Sequence, residues 1–247
     1  MTKFLKYACG TLIGISCMLT IQNVNATTLA FNNGDSLTNW TTDRFAPNGF
    51  NIVNNELNLV LDSGDYQTSG FNNTQGKSLN TSGSNYLSVD MYIDSGWASL
   101  NQRIGGMWGE DVTNLGARTD YWPIIEYHGA LGWGIWTTAN AWIYNNAWNV
   151  NLDEFNTIAF SLINEEVKFY INSVLVYSAA GYTGATNFGS VILQGINKNA
   201  MANDTGGVNR TIRFDNLAFN SVPEPAPLAL LGLGLIGLGI ARRRARK

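Results

Sequence analysis

The chain has 247 residues, with 15 Lys+Arg against 18 Asp+Glu, a formal net charge of −3 and a single histidine. Aromatic residues make up 12% and charged residues 13%, which excludes a disordered chain, poor in aromatics, and a basic nucleic-acid binder. Both cysteines, Cys9 and Cys17, fall in the first 26 residues, so the remainder carries neither a disulfide nor a thiolate zinc site.

The first 26 residues place Lys3 and Lys6 ahead of an apolar stretch from Leu12 to Ile21 and close on Val24-Asn25-Ala26. That is the order of a secretory signal peptide, with cleavage expected after Ala26. At the other end, an apolar run from Leu228 to Ile240 lies between Pro223-Glu224-Pro225 and the basic cluster Arg242, Arg243, Arg244, Arg246 and Lys247. As a helix it would reach about 20 Å, short of a hydrocarbon core of about 30 Å. Its basic end would stay on the cytoplasmic side. Seven of the 15 basic residues and one of the 18 acidic ones lie in these two ends. The body keeps 8 basic and 17 acidic residues, a net charge of −9.

In the body, strand patterns follow one another from the amino end. Asn54-Asn55 is a turn before the alternating Leu57, Leu59 and Leu61. Val89, Met91 and Ile93 alternate with Asp90, Tyr92 and Asp94, one side apolar and one wet. RIGGMWGE, DYWPIIEYHG and GWGIWTTANAWIY read as glycine-broken strands. Ile158, Phe160 and Leu162 alternate up to a turn at Asn164-Glu165; Val167, Phe169 and Ile171 alternate up to a turn at Asn172-Ser173; Val174 and Val176 follow. SVILQGIN and TIRFDNLAFN complete the body. No 3.6-residue apolar period appears before the tail, and no 40-residue repeat suggests a propeller. About a dozen short strands at hairpin spacing predict an all-β, two-sheet antiparallel β-sandwich or jelly roll over 27–221, between a helical signal peptide at 1–26 and a tail with a short apolar helix at 222–247.

Two resemblances follow from these residues. Pro223, Glu224 and Pro225, the short apolar run and Arg242, Arg243 and Arg244 resemble the PEP-CTERM sorting tail of Gram-negative bacteria. That resemblance implies an exosortase-type membrane transpeptidase as partner, and delivery to the cell surface or an extracellular polysaccharide matrix after transient membrane anchoring. The body resembles the concanavalin A-like, laminin-G-like jelly rolls: Tyr170-Ile171-Asn172-Ser173 stands at a "YxNG"-type turn and Phe214-Asp215-Asn216 at a closing "FDN". Such folds carry lectins, glycanases, lyases and adhesive modules, so the fold alone does not choose between them.

Catalytic signals are thin. Laminarinase-type members of that superfamily place carboxylates at alternate positions of one strand as Glu-x-Asp-x-Glu. The nearest stretch is Ile124-Ile125-Glu126-Tyr127-His128, with one carboxylate and a histidine where an aspartate would stand. No catalytic residue is therefore expected; an enzyme would have to use Glu126 and His128, with Glu110 or Asp120 converging in space. One histidine cannot build a His-rich zinc site, and no Gly-x-Ser-x-Gly elbow accompanies it. Seven tryptophans lie between Trp97 and Trp148. Indole faces stack on the apolar faces of sugar rings, and carboxylates and amides bond their hydroxyls. Trp108, Tyr121, Trp133, Trp136 and Glu126 are the candidate ligand contacts; the alternative is that the aromatics fill the core. Trp133 and Trp136, three apart on one strand, should point to opposite faces. No cofactor is expected. Calcium is the one cation considered, with Asp62, Asp65, Asp204 and Asp215 as candidate ligands, in turn-like clusters without an Asp-x-Asp-x-Asp-Gly loop. The expected function is non-catalytic carbohydrate binding at the surface or in extracellular polysaccharide. A concanavalin A-like hydrolase or lyase and a structural adhesion module are the alternatives.

Overall fold

A computed structural model describes residues 27–65, 74–139, 141–197 and 207–220. Signal-peptide residues through Ala26, the sorting tail and Asp204 lie outside these residues. The described residues form fifteen strands: β1 (Thr27–Leu29), β2 (Thr41–Arg44), β3 (Gly49–Val53), β4 (Glu56–Leu61), β5 (Gln75–Ser84), β6 (Tyr86–Ile93), β7 (Arg103–Val112), β8 (Ile124–His128), β9 (Gly132–Trp136), β10 (Trp142–Tyr144), β11 (Glu154–Ile163), β12 (Glu166–Ile171), β13 (Val174–Ala180), β14 (Asn187–Gly195) and β15 (Arg210–Asn220). Among them no helix is long and apolar enough to cross a membrane.

The expected hairpin turns are present. Asn54 and Asn55 have φ of 57° and 61°, Asn164 and Glu165 53° and 60°, and Asn172 and Ser173 48° and 66°. Two consecutive left-handed residues make the turn whose twist matches a two-residue hairpin, which asparagine tolerates best. These turns set the pairs Val53 with Glu56, Ile163 with Glu166 and Ile171 with Val174.

The strands form two antiparallel sheets. An eight-stranded sheet runs β13-β12-β11-β6-β15-β4-β3, with β1 also pairing β15; a seven-stranded sheet runs β10-β9-β8-β7-β14-β5-β2. The first turns Leu57, Leu59, Leu61, Val89, Met91, Ile93, Ile158, Phe160, Leu162, Val167, Phe169 and Ile171 into the core. The second answers with Leu79, Met107, Ile125, Tyr127, Trp133, Ile135, Val191 and Leu193. Period-two alternation thus buries one face of each sheet between the layers. At β13 the pattern misled: Val174 is 60% exposed and Leu175 50%. This strand is the sheet's edge and its apolar side chains are largely left in water.

Glu126 belongs to the outer face of the seven-stranded sheet. One register row crosses that face: Asp43 on β2, Gly76 on β5, Gln194 on β14, Gly106 on β7, Glu126 on β8, Gly134 on β9 and Tyr144 on β10. Side chains and glycines alternate along it. A Cβ at Gly134 would come within 2.3 Å of the Tyr144 ring, and one at Gly76 within 2.7 Å of Gln194 Cβ. The glycines therefore let the long side chains between them lie flat across the sheet. The next row holds Thr41, Ser78, Ile192, Trp108, Ile124, Trp136 and Trp142.

Candidate ligand-binding face

Glu126 is fully buried and its carboxylate is saturated. Arg103 donates to it through Nε at 2.6 Å and Nη2 at 2.7 Å. Trp108 Nε1 donates at 3.0 Å and Gln194 Nε2 at 2.7 Å. A charge taken out of water is held by a bidentate guanidinium and two neutral donors, the arrangement a buried carboxylate requires. Burial pulls the Arg103 pKa down, but the attraction and hydrogen bonds of Glu126 outweigh it and raise it above the ordinary value. Arg103 therefore stays charged.

The remaining groups of the face are aromatic rings interleaved with guanidiniums. Trp136 and Trp142 pack at 5.6 Å between ring centroids, and Trp142 stacks on Tyr144 at 5.6 Å and 19°. Arg103 lies 4.8 Å over the Trp142 ring, Arg118 4.9 Å over Trp122 and Arg44 3.9 Å over Trp108. Trp108, Ile124 and Ile192 form a small apolar cluster on this face, against which Trp122, Trp136 and Trp142 pack half-buried. Glu110 accepts from Ser190 Oγ at 2.6 Å and pairs with Arg118. Burial, then Glu126, pushes the Tyr144 hydroxyl up to about 12, so it stays protonated.

The expected contacts distribute unevenly. Trp136 and Glu126 lie on the outer face as expected, and so does Trp108, though it is 1% exposed. Trp133 points to the opposite face from Trp136 and lies in the core, edge-on to Tyr127 at 5.4 Å. Its selection as a ligand contact is corrected: β9 alternation turns it inward. Tyr121 is likewise corrected, because it packs half-buried against the main core, edge-on to Tyr182 at 5.6 Å. Sequence reasoning passed over Arg44, Arg103 and Gln194, for which no local pattern stands out. Trp142 and Tyr144 were visible in the aromatic cluster and share a parity on β10.

The candidates for chemistry do not assemble. His128 closes β8, 1% exposed, with Nδ1 accepting from Leu131 N at 3.3 Å and Nε2 without a partner among the described residues. Burial first, and Arg103 second, lower its pKa and keep it neutral. Glu110 shares the outer face of β7, but Glu126 faces Gly106, four residues away. At about 3.4 Å per residue the two positions are separated by about 13 Å along the strands, with the Trp108–Ile124 pair between them. Their carboxylates are engaged separately, Glu110 by Ser190 and Arg118, and Glu126 by Arg103, Trp108 and Gln194. Asp120 lies in the loop before β8, exposed.

Of the described calcium candidates, Asp62 and Asp215 accept from backbone N–H groups of their own turns and Asp65 from a side chain of a distant loop. Asp62 Oδ1 accepts from Gly64 N at 2.8 Å, Asp65 Oδ2 from Asn48 Nδ2 at 2.5 Å and Asp215 Oδ1 from Asn216 N at 2.7 Å. Among the described residues no three His, Cys, Asp or Glu side chains group as a metal site would need.

The PEP-CTERM protein-sorting motif matches residues 221–246. It marks an exported protein sorted to the cell surface or extracellular space and implies processing by an exosortase, a membrane enzyme. No curated protein matches the chain in sequence. Solved structures match its fold. The Bacillus licheniformis β-glucanase aligns with a TM-score of 0.51 at 16% identity, over 81% of this chain and 100% of its own. The laminarinase catalytic domain of Thermotoga maritima aligns with a TM-score of 0.56 at 9% identity, over 80% of this chain and 98% of its own. The Crh5 transglycosylase aligns with a TM-score of 0.53 at 10% identity, over 81% of this chain and 85% of its own. At these identities the likeness is one of fold: a two-sheet antiparallel sandwich of the glucanase, concanavalin A-like kind.

Proposed function

We propose that this exported protein binds carbohydrate at the outer face of its seven-stranded sheet, without turning it over, at the cell surface or within extracellular polysaccharide. The observation that carries the reading is the state of Glu126. It is the one carboxylate on β8, it is fully buried, and four donor contacts occupy it. A general acid or nucleophile must reach the glycosidic bond with a free oxygen. Glu126 has none and serves instead to lock Arg103, Trp108 and Gln194 in place. Around it the half-buried Trp136 and Tyr144 supply flat aromatic surface of the kind sugar recognition uses, while Trp122 and Trp142 each carry a guanidinium over one ring face. The fold neighbours include glucanases and a laminarinase, which supports a glycan as the kind of molecule this face meets.

The test is tryptophan fluorescence of the purified protein against a panel of soluble polysaccharides, with product analysis on the same samples. A saturable shift for one sugar class with no new reducing ends or unsaturated sugars is expected. Release of either product would overturn the non-catalytic reading. A flat response across the panel would overturn carbohydrate binding altogether.

A further inference from the structure

In each of the three tryptophan–arginine pairs on this face, an indole surface that would stack on a neutral sugar is already occupied. Arg44 covers Trp108, Arg103 covers Trp142 and Arg118 covers Trp122. Each pair is a guanidinium laid on an indole; Arg103 and Arg118 spend donors on Glu126 and Glu110, whereas Arg44 Nε and Nη2 are buried without a hydrogen-bond partner. The body carries a net charge of −9, yet this face balances its charges: Arg44, Arg103 and Arg118 against Asp43, Glu126 and Glu110.

Arg44 is the unusual member. The preceding residue, Asp43, is in the outer-face row with Gly76 and Gln194, so strict alternation would send Arg44 the other way. Instead Arg44 takes a left-handed backbone, φ 49°, and both side chains share the outer face. A non-glycine residue held there stores strain, and such strain concentrates at ligand sites. Glu126 uses both forked nitrogens of Arg103. Arg44, by contrast, has Nε and Nη2 without a hydrogen-bond partner; Nη2 lies 2.6 Å from Asp43 Oδ2 in an ion pair too misaligned to be a hydrogen bond. Its side chain is 21% exposed. Turning this guanidinium about its stem breaks no hydrogen bond; it releases the Asp43 contact and the stacking on Trp108. Gln194 Oε1, in the same row, also lacks a donor among the described residues.

The geometry points to an anionic glycan as the ligand of this face, a polysaccharide bearing carboxylates as hexuronates do, with Arg44 as the fork that takes the carboxylate and Arg118 as a second, outer contact. The inference rests on the carbohydrate-binding reading above and names its ligand class. A carboxylate matches the planar fork with two parallel hydrogen bonds, and displacing Asp43 replaces a strained contact with an aligned one. Asp43 is then the competitor for the same guanidinium.

The experiment titrates the purified protein with polygalacturonate and alginate, with dextran sulfate, and with neutral laminarin and dextran, in chelator and at two salt concentrations. Arg44→Asn, Arg118→Gln and Asp43→Asn are compared with the parent, each with its melting temperature. Asparagine tolerates the left-handed backbone at position 44, and Arg118 is 61% exposed, so the variants should stay folded. Salt-sensitive binding of the polyuronates is expected. Arg44→Asn should weaken it about tenfold or more, Arg118→Gln should weaken it less, and Asp43→Asn should tighten it. Laminarin bound as well as polygalacturonate, with Arg44→Asn and Asp43→Asn silent, would overturn the anionic ligand and leave carbohydrate binding standing. Preference for dextran sulfate over both polyuronates would overturn the carboxylate. No binding to any of the five would overturn the carbohydrate reading itself.

Discussion

Glu126 illustrates how a single side chain separates the two families of function this fold supports. If it were a catalytic acid, Glu126→Gln would leave the fold intact and abolish turnover. Because it neutralises Arg103 in a buried pair, the same change should instead lower stability by about 3 kcal/mol, read as a lower denaturant midpoint, and should shift Trp108 fluorescence through the lost indole hydrogen bond. Asp111, on β7, makes a second residue-scale prediction. Both of its oxygens are buried without partners among the described residues, as is the Tyr182 hydroxyl. Burial first, and Glu110 second, raise its pKa well above the carboxylate range. The folded state therefore binds a proton that the unfolded chain releases near about pH 3.9. The stability this neutral acid carries is complete below that pH and drains away as pH rises toward the folded value. Asp111→Asn, which needs no proton, should be more stable than the parent by about 1–3 kcal/mol in mildly alkaline buffer and should lose that advantage in acid. Equal denaturant midpoints for the two proteins across that range would refute a neutral Asp111.

On β9 the two faces of one strand make opposite predictions. Trp133→Ala removes a fully buried ring and should cost about 3–5 kcal/mol. Trp136→Ala, three residues on and half-buried on the outer face, should leave the melting temperature nearly unchanged and weaken glycan binding severalfold. Gly134 lies between them under the Tyr144 ring; Gly134→Ala should displace that ring and cost about 1–3 kcal/mol. At this scale much was legible from sequence. The hairpins at Asn54-Asn55, Asn164-Glu165 and Asn172-Ser173 announce themselves because a two-residue turn is local chemistry, set by residues that accept positive φ. The opposition of Trp133 and Trp136 is legible for the same reason, since strand parity is local. Which of the two parities faces the core is not local. It depends on which neighbours β8 and β10 bring, so Trp133 was taken for a contact while Trp142 and Tyr144, on the outer face, were left in the crowd.

At the scale of the whole molecule, the sorting motif lies outside the body in sequence, at residues 221–246. Deleting residues 221–247 should leave export intact and abolish sorting, with the body recovered free rather than in the surface or matrix fraction; fractionation with an antibody to the body reads this directly. Sequence by itself determined the destination and the fold class. A sorting tail is recognised as a linear stretch, and alternating apolar residues at hairpin spacing leave few ways to bury one side of every strand. Only the tertiary structure decided the face. Asp43, Gln194, Glu126 and Tyr144 come from strands scattered between positions 43 and 194 of the chain, and they become one row because β14 inserts between β5 and β7. Arg103 meets Glu126 from 23 positions away and Gln194 meets it from 68. Sheet order is chosen by the packing of the whole core rather than by any segment's own pattern, and the charge pairs that shape this face follow from that order.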